Sequence, residues 1–230
     1  MTLRTKSAAQ TKYPRHDFAG THLDKAHMLG FRYGDLNVYM PKGKSETLVV
    51  RSHTTLLPQA HLFNSLFKRY GMVITSRNAR SLQQTCYLNE SFKFLLDKYP
   101  DEIRKWLLRN DERFWAFAAG YIDAEGTFGL NQGKGRFKID AYDLPILQDM
   151  NTFLMRKGIH TRFLPIARKG ENDYGWVWRE DVWRLSVNQA SSIELLIKRL
   201  YPLLRHGKRR ADARKVLRNI VQRRRNGTIR

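Results

Sequence analysis

The chain has 230 residues, enough for one or two compact domains with a sizeable core. Its 42 Lys+Arg against 21 Asp+Glu leave a formal charge of +21, a self-repulsion that a polyanionic partner relieves and that argues against a small-metabolite enzyme. A single cysteine, Cys86, excludes a disulfide framework and a Cys-rich zinc site, and no apolar run is long enough for a membrane-spanning helix.

In chain order, residues 1–20 read as a flexible basic arm. The start lacks the apolar region of a secretory signal, so an intracellular protein is expected, in a prokaryotic cytoplasm or nucleoid or in an organelle. A helix is predicted over about 21–34, then short strands over 37–40 and 47–53. A second helix opens at Leu57-Pro58 and closes at Gly71, where a glycine suits the C-cap. A hairpin over about 72–88 and a helix over about 91–98 complete the first half. The second half repeats this order. A helix is predicted over 111–125, strands over 127–130 and 136–142, and a helix from Leu144-Pro145 to Gly158. A longer hairpin over 160–188 and a helix over 190–201 follow. Residues 212–225 read as a basic amphipathic helix with Val216, Leu217, Ile220 and Val221 inward.

The two halves are copies. Leu57-Pro58 and Leu144-Pro145, Asn64 and Asn151, Arg69 and Arg156, and Gly71 and Gly158 match, all at one offset of 87. Gly30 matches Gly120 at offset 90, and Tyr99-Pro100 matches Tyr201-Pro202 at offset 102. The drift marks loops of unequal length. The expected fold is α+β: two pseudo-symmetric αββαββα repeats, residues 21–110 and 111–204, followed by a basic helix or tail over 205–230.

Gly30 and Gly34 lie four apart on one helix, and Gly120 and Ala124 lie four apart on the other. Small residues at that spacing let two helix backbones approach, so these helices are expected to pack together about a pseudo-twofold axis. Such packing brings Asp35 and Glu125 together at helix C-termini, where dipole and mutual repulsion both disfavour carboxylates. A divalent cation between them resolves the conflict, and so sparse a set of hard oxygen ligands suits Mg²⁺ completed by water and phosphate. On a basic protein this suggests phosphodiester hydrolysis. Spacing alone leaves open the alternative of two ordinary exposed acids at helix ends.

Residues 118–126, AAGYIDAEG, resemble the LAGLIDADG motif of homing endonucleases. Residues 28–36, MLGFRYGDL, resemble a degenerate first copy, with Tyr33 at the sixth position and Leu36 in place of the final glycine. The resemblance covers about residues 21–210. It implies a single-chain, pseudo-dimeric double-strand DNA endonuclease, with saddle-shaped antiparallel sheets in the major groove and short 3′ overhangs as product. It assigns Asp35 and Glu125 as metal ligands and catalytic acids, with Gly34 and Ala124 at the metal site and Mg²⁺ or Mn²⁺ as the ion. It also places a basic helper after the last helix of each repeat, for which Lys208 and Lys105 (or Arg104) are candidates. A monomer acting on double-stranded DNA is expected. An RNA maturase bound to its host intron and a non-cleaving DNA-binding regulator remain as alternatives of the same fold.

The alternating strands supply the expected DNA contacts. In the first half these are Asn37, Tyr39, Lys42, Lys44, Arg51, His53, Arg77, Arg80 and Gln83. In the second they are Thr127, Asn131, Gln132, Lys134, Arg136, Lys138, Asp140, Tyr142, Arg162, Arg168, Lys169, Arg179, Arg184, Ser186 and Asn188. Arg and Lys suit guanine, and Asn and Gln suit adenine, in the major groove. Arg209, Arg210, Arg214, Arg223, Arg224 and Arg225 are expected on phosphates. A membrane surface is not expected as a partner, because the basic residues alternate along strands.

Overall fold

The computed structural model describes residues 14–43, 46–173 and 176–229. The first repeat comprises α1 (His22–Asp35), β1 (Asn37–Tyr39), β2 (Leu48–Thr54), α2 (Leu57–Phe67), β3 (Val73–Arg77) and β4 (Leu82–Leu88). The second comprises α4 (Asp111–Glu125), β5 (Gly126–Asn131), β6 (Lys134–Ala141), α5 (Leu144–Arg156), β7 (Arg162–Ala167), β10 (Val182–Val187) and α6 (Ala190–Leu200). Each repeat forms a four-stranded antiparallel sheet, ordered β1-β2-β4-β3 and β5-β6-β10-β7. The orders are the same under the repeat, which confirms the internal duplication in three dimensions. A two-stranded ribbon, β8 (Asn172–Asp173) with β9 (Trp176–Val177), extends the longer hairpin of the second half.

Local signals explain the boundaries. Thr21 caps α1 in a capping box with Asp24, and Asn110 caps α4 by accepting from the Arg113 N–H. Pro58 and Pro145 sit in the first turns of α2 and α5, where a missing N–H costs nothing. Phe128, Phe137, Ile139, Leu185 and Val187 alternate inward along the second sheet, and a single apolar core runs through both repeats around α1 and α4. No helix among the described residues is long and apolar enough to cross a membrane.

Three features depart from expectation. The helix expected over 91–98 is a 3₁₀ turn (Glu90–Leu95), followed by a separate α3 (Asp101–Leu108) that starts after Pro100. Proline biases the residue before it away from helix, and Tyr99 takes a left-handed φ of 55°, so one long helix is interrupted. Residues 14–20, placed in the flexible arm, are docked: His16 N–H donates to Tyr70 O at 2.8 Å, and the Phe18 ring packs against Tyr70, Phe92 and Phe94. The basic helix is longer than expected, α7 (Gly207–Arg225). It buries Ala213, Val216 and Ile220, whereas Leu217 is half-buried and Val221 is exposed.

Candidate active site and reading faces

The motif helices meet where both lack side chains. A Cβ on Gly30 would lie 2.0 Å from Phe117 O and 2.6 Å from Tyr121 N. A Cβ on Gly120 would lie 2.0 Å from His27 O and 3.0 Å from Phe31 N. The 90-residue offset converts one set of contacts into the other, so the pseudo-twofold axis runs between the two glycines.

Away from the axis the symmetry breaks. His27 and Asp123, both buried, are joined by a 3.0 Å hydrogen bond, and Asp123 also accepts from the Arg205 N–H at 2.7 Å. Their images under the repeat are Phe117 and Tyr33, an edge-on aromatic pair with ring centroids 5.9 Å apart. The polar pair ties the segment leading into α7 to the helix pair; the aromatic one is completed by Tyr99, 5.8 Å from Tyr33 and 5.6 Å from Phe117. Asp123→Ala strands a buried imidazole and a backbone N–H, so it is expected to cost about 3 kcal/mol in urea unfolding. A loss within experimental error of zero would show that the network carries no stability.

Past the glycines, a Cβ on Gly34 would lie 2.4 Å from Ala124 Cβ and 3.4 Å from Glu125 Oε1, so the helix ends meet face to face. Leu36 in place of the motif glycine does not disturb this. Both residues after the acids are extended, Leu36 at φ −107° and Gly126 at φ −72°, and each donates its N–H to the carbonyl four residues back. Neither position demands glycine for its φ. Arg32 secures the end of α1 by donating to the carbonyls of Leu36 and Leu95.

Asp35 and Glu125 are thus partly withdrawn from water beside each other. Burial raises the Asp35 carboxyl to about 6, with the nearby Arg209 opposing. Burial, then Asp35 and Asp143, raise Glu125 to about 7, with Lys98 and Arg209 opposing. The cations that oppose these shifts are Arg209 and Lys98. Lys208 is paired with Asp212 at 2.5 Å, Lys105 is exposed on α3, and Arg104 is held by Asp149 at 2.6 Å. Arg209 Nη2 donates to Ala124 O at 3.2 Å, and Lys98 pairs with Asp143, which also accepts from the Tyr121 hydroxyl. Which cation reaches the acids depends on the path of the chain after each last helix, and residue spacing does not encode that path.

Among the described residues no group of three or more His, Cys, Asp or Glu is arranged to hold a metal ion. Two facing carboxylates that are costly to ionise fit a divalent cation that keeps most ligands as water or phosphate, and do not fit a closed protein cage. The Ala124 carbonyl, placed at the metal site by the motif, accepts from Arg209 here.

Strand register settles which of the expected contact residues share a face. In the second sheet, Thr127 pairs with Lys138, Lys138 with Ser186 and Ser186 with Arg162; Asp140 pairs with Arg184, and Asn131 with Lys134. These residues and Arg136 share the face turned away from Phe137 and Ile139. Gln132 occupies the β5–β6 turn with φ 49°. Tyr142 and Asn188 are exposed just past their strands, and Arg168, Lys169 and Arg179 lie exposed in the long hairpin, Arg168 paired with Asp181 at 2.9 Å. Ser186 is buried, its hydroxyl directed to Arg162 O at 3.4 Å. Asp140 is held below the usual carboxylate range: burial opposes, but Arg184 and Lys138 outweigh it.

In the first sheet, Asn37, Tyr39, Arg51, His53 and Gln83 share one face; Arg51 lies over the Tyr39 ring and His53 bonds Ser81. Arg77 does not join them. Its partner is Leu82, and Ser76 is the residue opposite Gln83, so Arg77 emerges on the other face. Arg80 is exposed in the turn, Lys42 is exposed after β1, and Lys44 lies outside the described residues.

Two glycine-paired helices, each ending in an acid between paired antiparallel sheets, define the LAGLIDADG architecture. Residues 115–201, within the second repeat, match the family described as the LAGLIDADG-like domain. The second half therefore carries a LAGLIDADG-like domain, and the first half repeats its order of helices and strands around a second, degenerate copy of the motif. No curated protein matches the chain. Among solved structures, I-DmoI in complex with DNA and Mn aligns at a TM-score of 0.54 and 16% identity, over 78% of this chain and 97% of that one. The G20S variant of I-DmoI with its target DNA in the presence of Mg aligns at 0.54 and 15%, over 78% and 96%. Full-length DUF199/WhiA from Thermatoga maritima aligns at 0.55 and 15%, over 90% and 62%. At these identities the likeness is one of fold.

Proposed function

We propose that this protein is a site-specific double-strand DNA endonuclease that hydrolyses phosphodiester bonds with a divalent metal, Mg²⁺ or Mn²⁺, and leaves short 3′ overhangs. The observation that carries the reading is the pair Asp35 and Glu125, both pushed upward by burial at abutting helix ends. Structures of I-DmoI with DNA and Mn, and with target DNA and Mg, support DNA as substrate and a divalent ion as cofactor.

A divalent cation at the two carboxylates would supply the Lewis-acid charge that phosphodiester hydrolysis requires. The protein's own groups do the rest. Asp35 and Glu125 each approach one strand, Arg209 and Lys98 offset negative charge at the scissile phosphates, and the two reading faces fix the register. One chain supplies both acids, so a monomer suffices to cut both strands.

The test uses purified protein and a plasmid carrying the uninterrupted form of the locus that harbours the gene. Mg²⁺ is expected to give linear product and EDTA to suppress it. Tight binding of that plasmid without linearisation in either Mg²⁺ or Mn²⁺ would refute the nuclease reading and leave a DNA-binding protein.

A further inference from the structure

Asp140 and Arg184 are direct partners across the β6–β10 ladder, on the polar face of the second sheet. Asp140 Oδ1 accepts from Arg184 Nε at 2.6 Å, and Oδ2 accepts from Nη2 at 2.7 Å. Lys138 Nζ donates to the same Oδ2 at 2.7 Å. A guanidinium carries five N–H donors in a rigid planar fork. Asp140 occupies two of them along one edge. The end of the fork, one N–H from each of Nη1 and Nη2, has no partner among the described residues, and covalent geometry directs it away from the carboxylate. The side chains keep 36% and 26% exposure, so that end is open to a ligand lying on the sheet.

Two parallel donors held rigid match one base edge in the major groove, the O6 and N7 acceptors of guanine. Adenine sets its amino group against one of the donors, and neither pyrimidine offers such an acceptor pair. An unrestrained arginine samples phosphates as readily as bases. Here the bidentate brace fixes the side chain before DNA arrives, so its ordering entropy is not charged to binding. Arg136 and Arg162 share the face without such a brace among the described contacts.

We propose that Asp140 is a positioning residue that pre-aims Arg184 as a guanine reader, fixing one base pair of the target as G·C. The inference rests on the DNA-binding reading above and narrows it to one residue pair. Arg184 is the group that touches the base; Asp140 acts through it.

The test is selection from duplexes with a randomised central segment, in metal-free buffer so that binding alone is read. The wild-type consensus is expected to contain one G whose preference over the other bases drops about ten- to a hundredfold in Arg184→Gln. The same position should turn toward A, which a glutamine suits. Asp140→Asn, which keeps the shape but weakens the brace, should relax that same position by a smaller factor and leave the others unchanged. Thermal melting checks that both variants fold. A wild-type consensus that both variants preserve, or that both weaken evenly at every position, overturns the inference while the site-specific reading stands. A wild-type protein that binds without any consensus overturns both.

Discussion

Gly120→Ala should destabilise the protein by at least about 3 kcal/mol, where the same change in an ordinary helix interior would stabilise by about 1 kcal/mol. The sign reverses because the new methyl would lie 2.0 Å from His27 O, a backbone atom that yields only if the two motif helices separate. Gly30→Ala meets Phe117 O at the same distance and should cost as much. The pair should not be additive, because one separation relieves both clashes. Urea unfolding reads these values, with Gly129→Ala, at a site with nothing within 4 Å of the added Cβ, as a near-neutral reference. A Gly120→Ala protein as stable as wild type would mean that the helices do not pack as described.

Glu125→Gln should abolish double-strand cutting, retain DNA binding and raise stability at neutral pH. Asp35→Asn should do the same to a smaller extent. Loss of activity follows from removing one carboxylate of two. The gain in stability follows from the direction of the shifts, to about 7 for Glu125 and about 6 for Asp35. A carboxyl raised in the folded state binds its proton more tightly there than in the unfolded chain. Its stabilising contribution is therefore full below the unfolded value near 4, and is lost as pH rises through the folded value near 7. For Glu125 the loss by about pH 8 is of order 3 kcal/mol, since one unit corresponds to about 1.4 kcal/mol. Wild-type stability should fall between about pH 5 and pH 8, Glu125→Gln should flatten that fall, and Mg²⁺ should restore it in wild type alone. Cutting by either variant at the wild-type rate would remove Asp35 and Glu125 from the active site. A Glu125→Gln protein less stable than wild type at pH 8 would show that the carboxylate is not under strain.

Most of this site is visible in the amino-acid order because its causes are local. Small residues four apart on one helical face specify helix contact, and the acid is the residue immediately after each pair, at the helix C-terminus. Strand alternation likewise identifies Thr127, Lys134, Arg136 and Lys138 as face-mates. What depends on tertiary register is not visible. Arg77 turns to the far side because its partner is Leu82, a shift of one residue from the arrangement that would put it beside Gln83. Arg209 and Lys98 approach the acids through the courses of two connecting segments. The brace between Asp140 and Arg184 joins strands 44 residues apart in sequence, and no periodicity announces it.

The pairing of His27 with Asp123, and of Phe117 with Tyr33, makes the two halves non-interchangeable. On the axis, Gly30 and Gly120 must each suit the other's surroundings, and both remain glycine. Off the axis each contact occurs twice, and the two copies have drifted to chemistries that do not mix. A homodimer of the second repeat would set Phe117 against Asp123 at both places, burying two carboxylates without their imidazoles. A homodimer of the first would set His27 against Tyr33. At these contacts neither half is complementary to a copy of itself, and each supplies the partner that the other lacks.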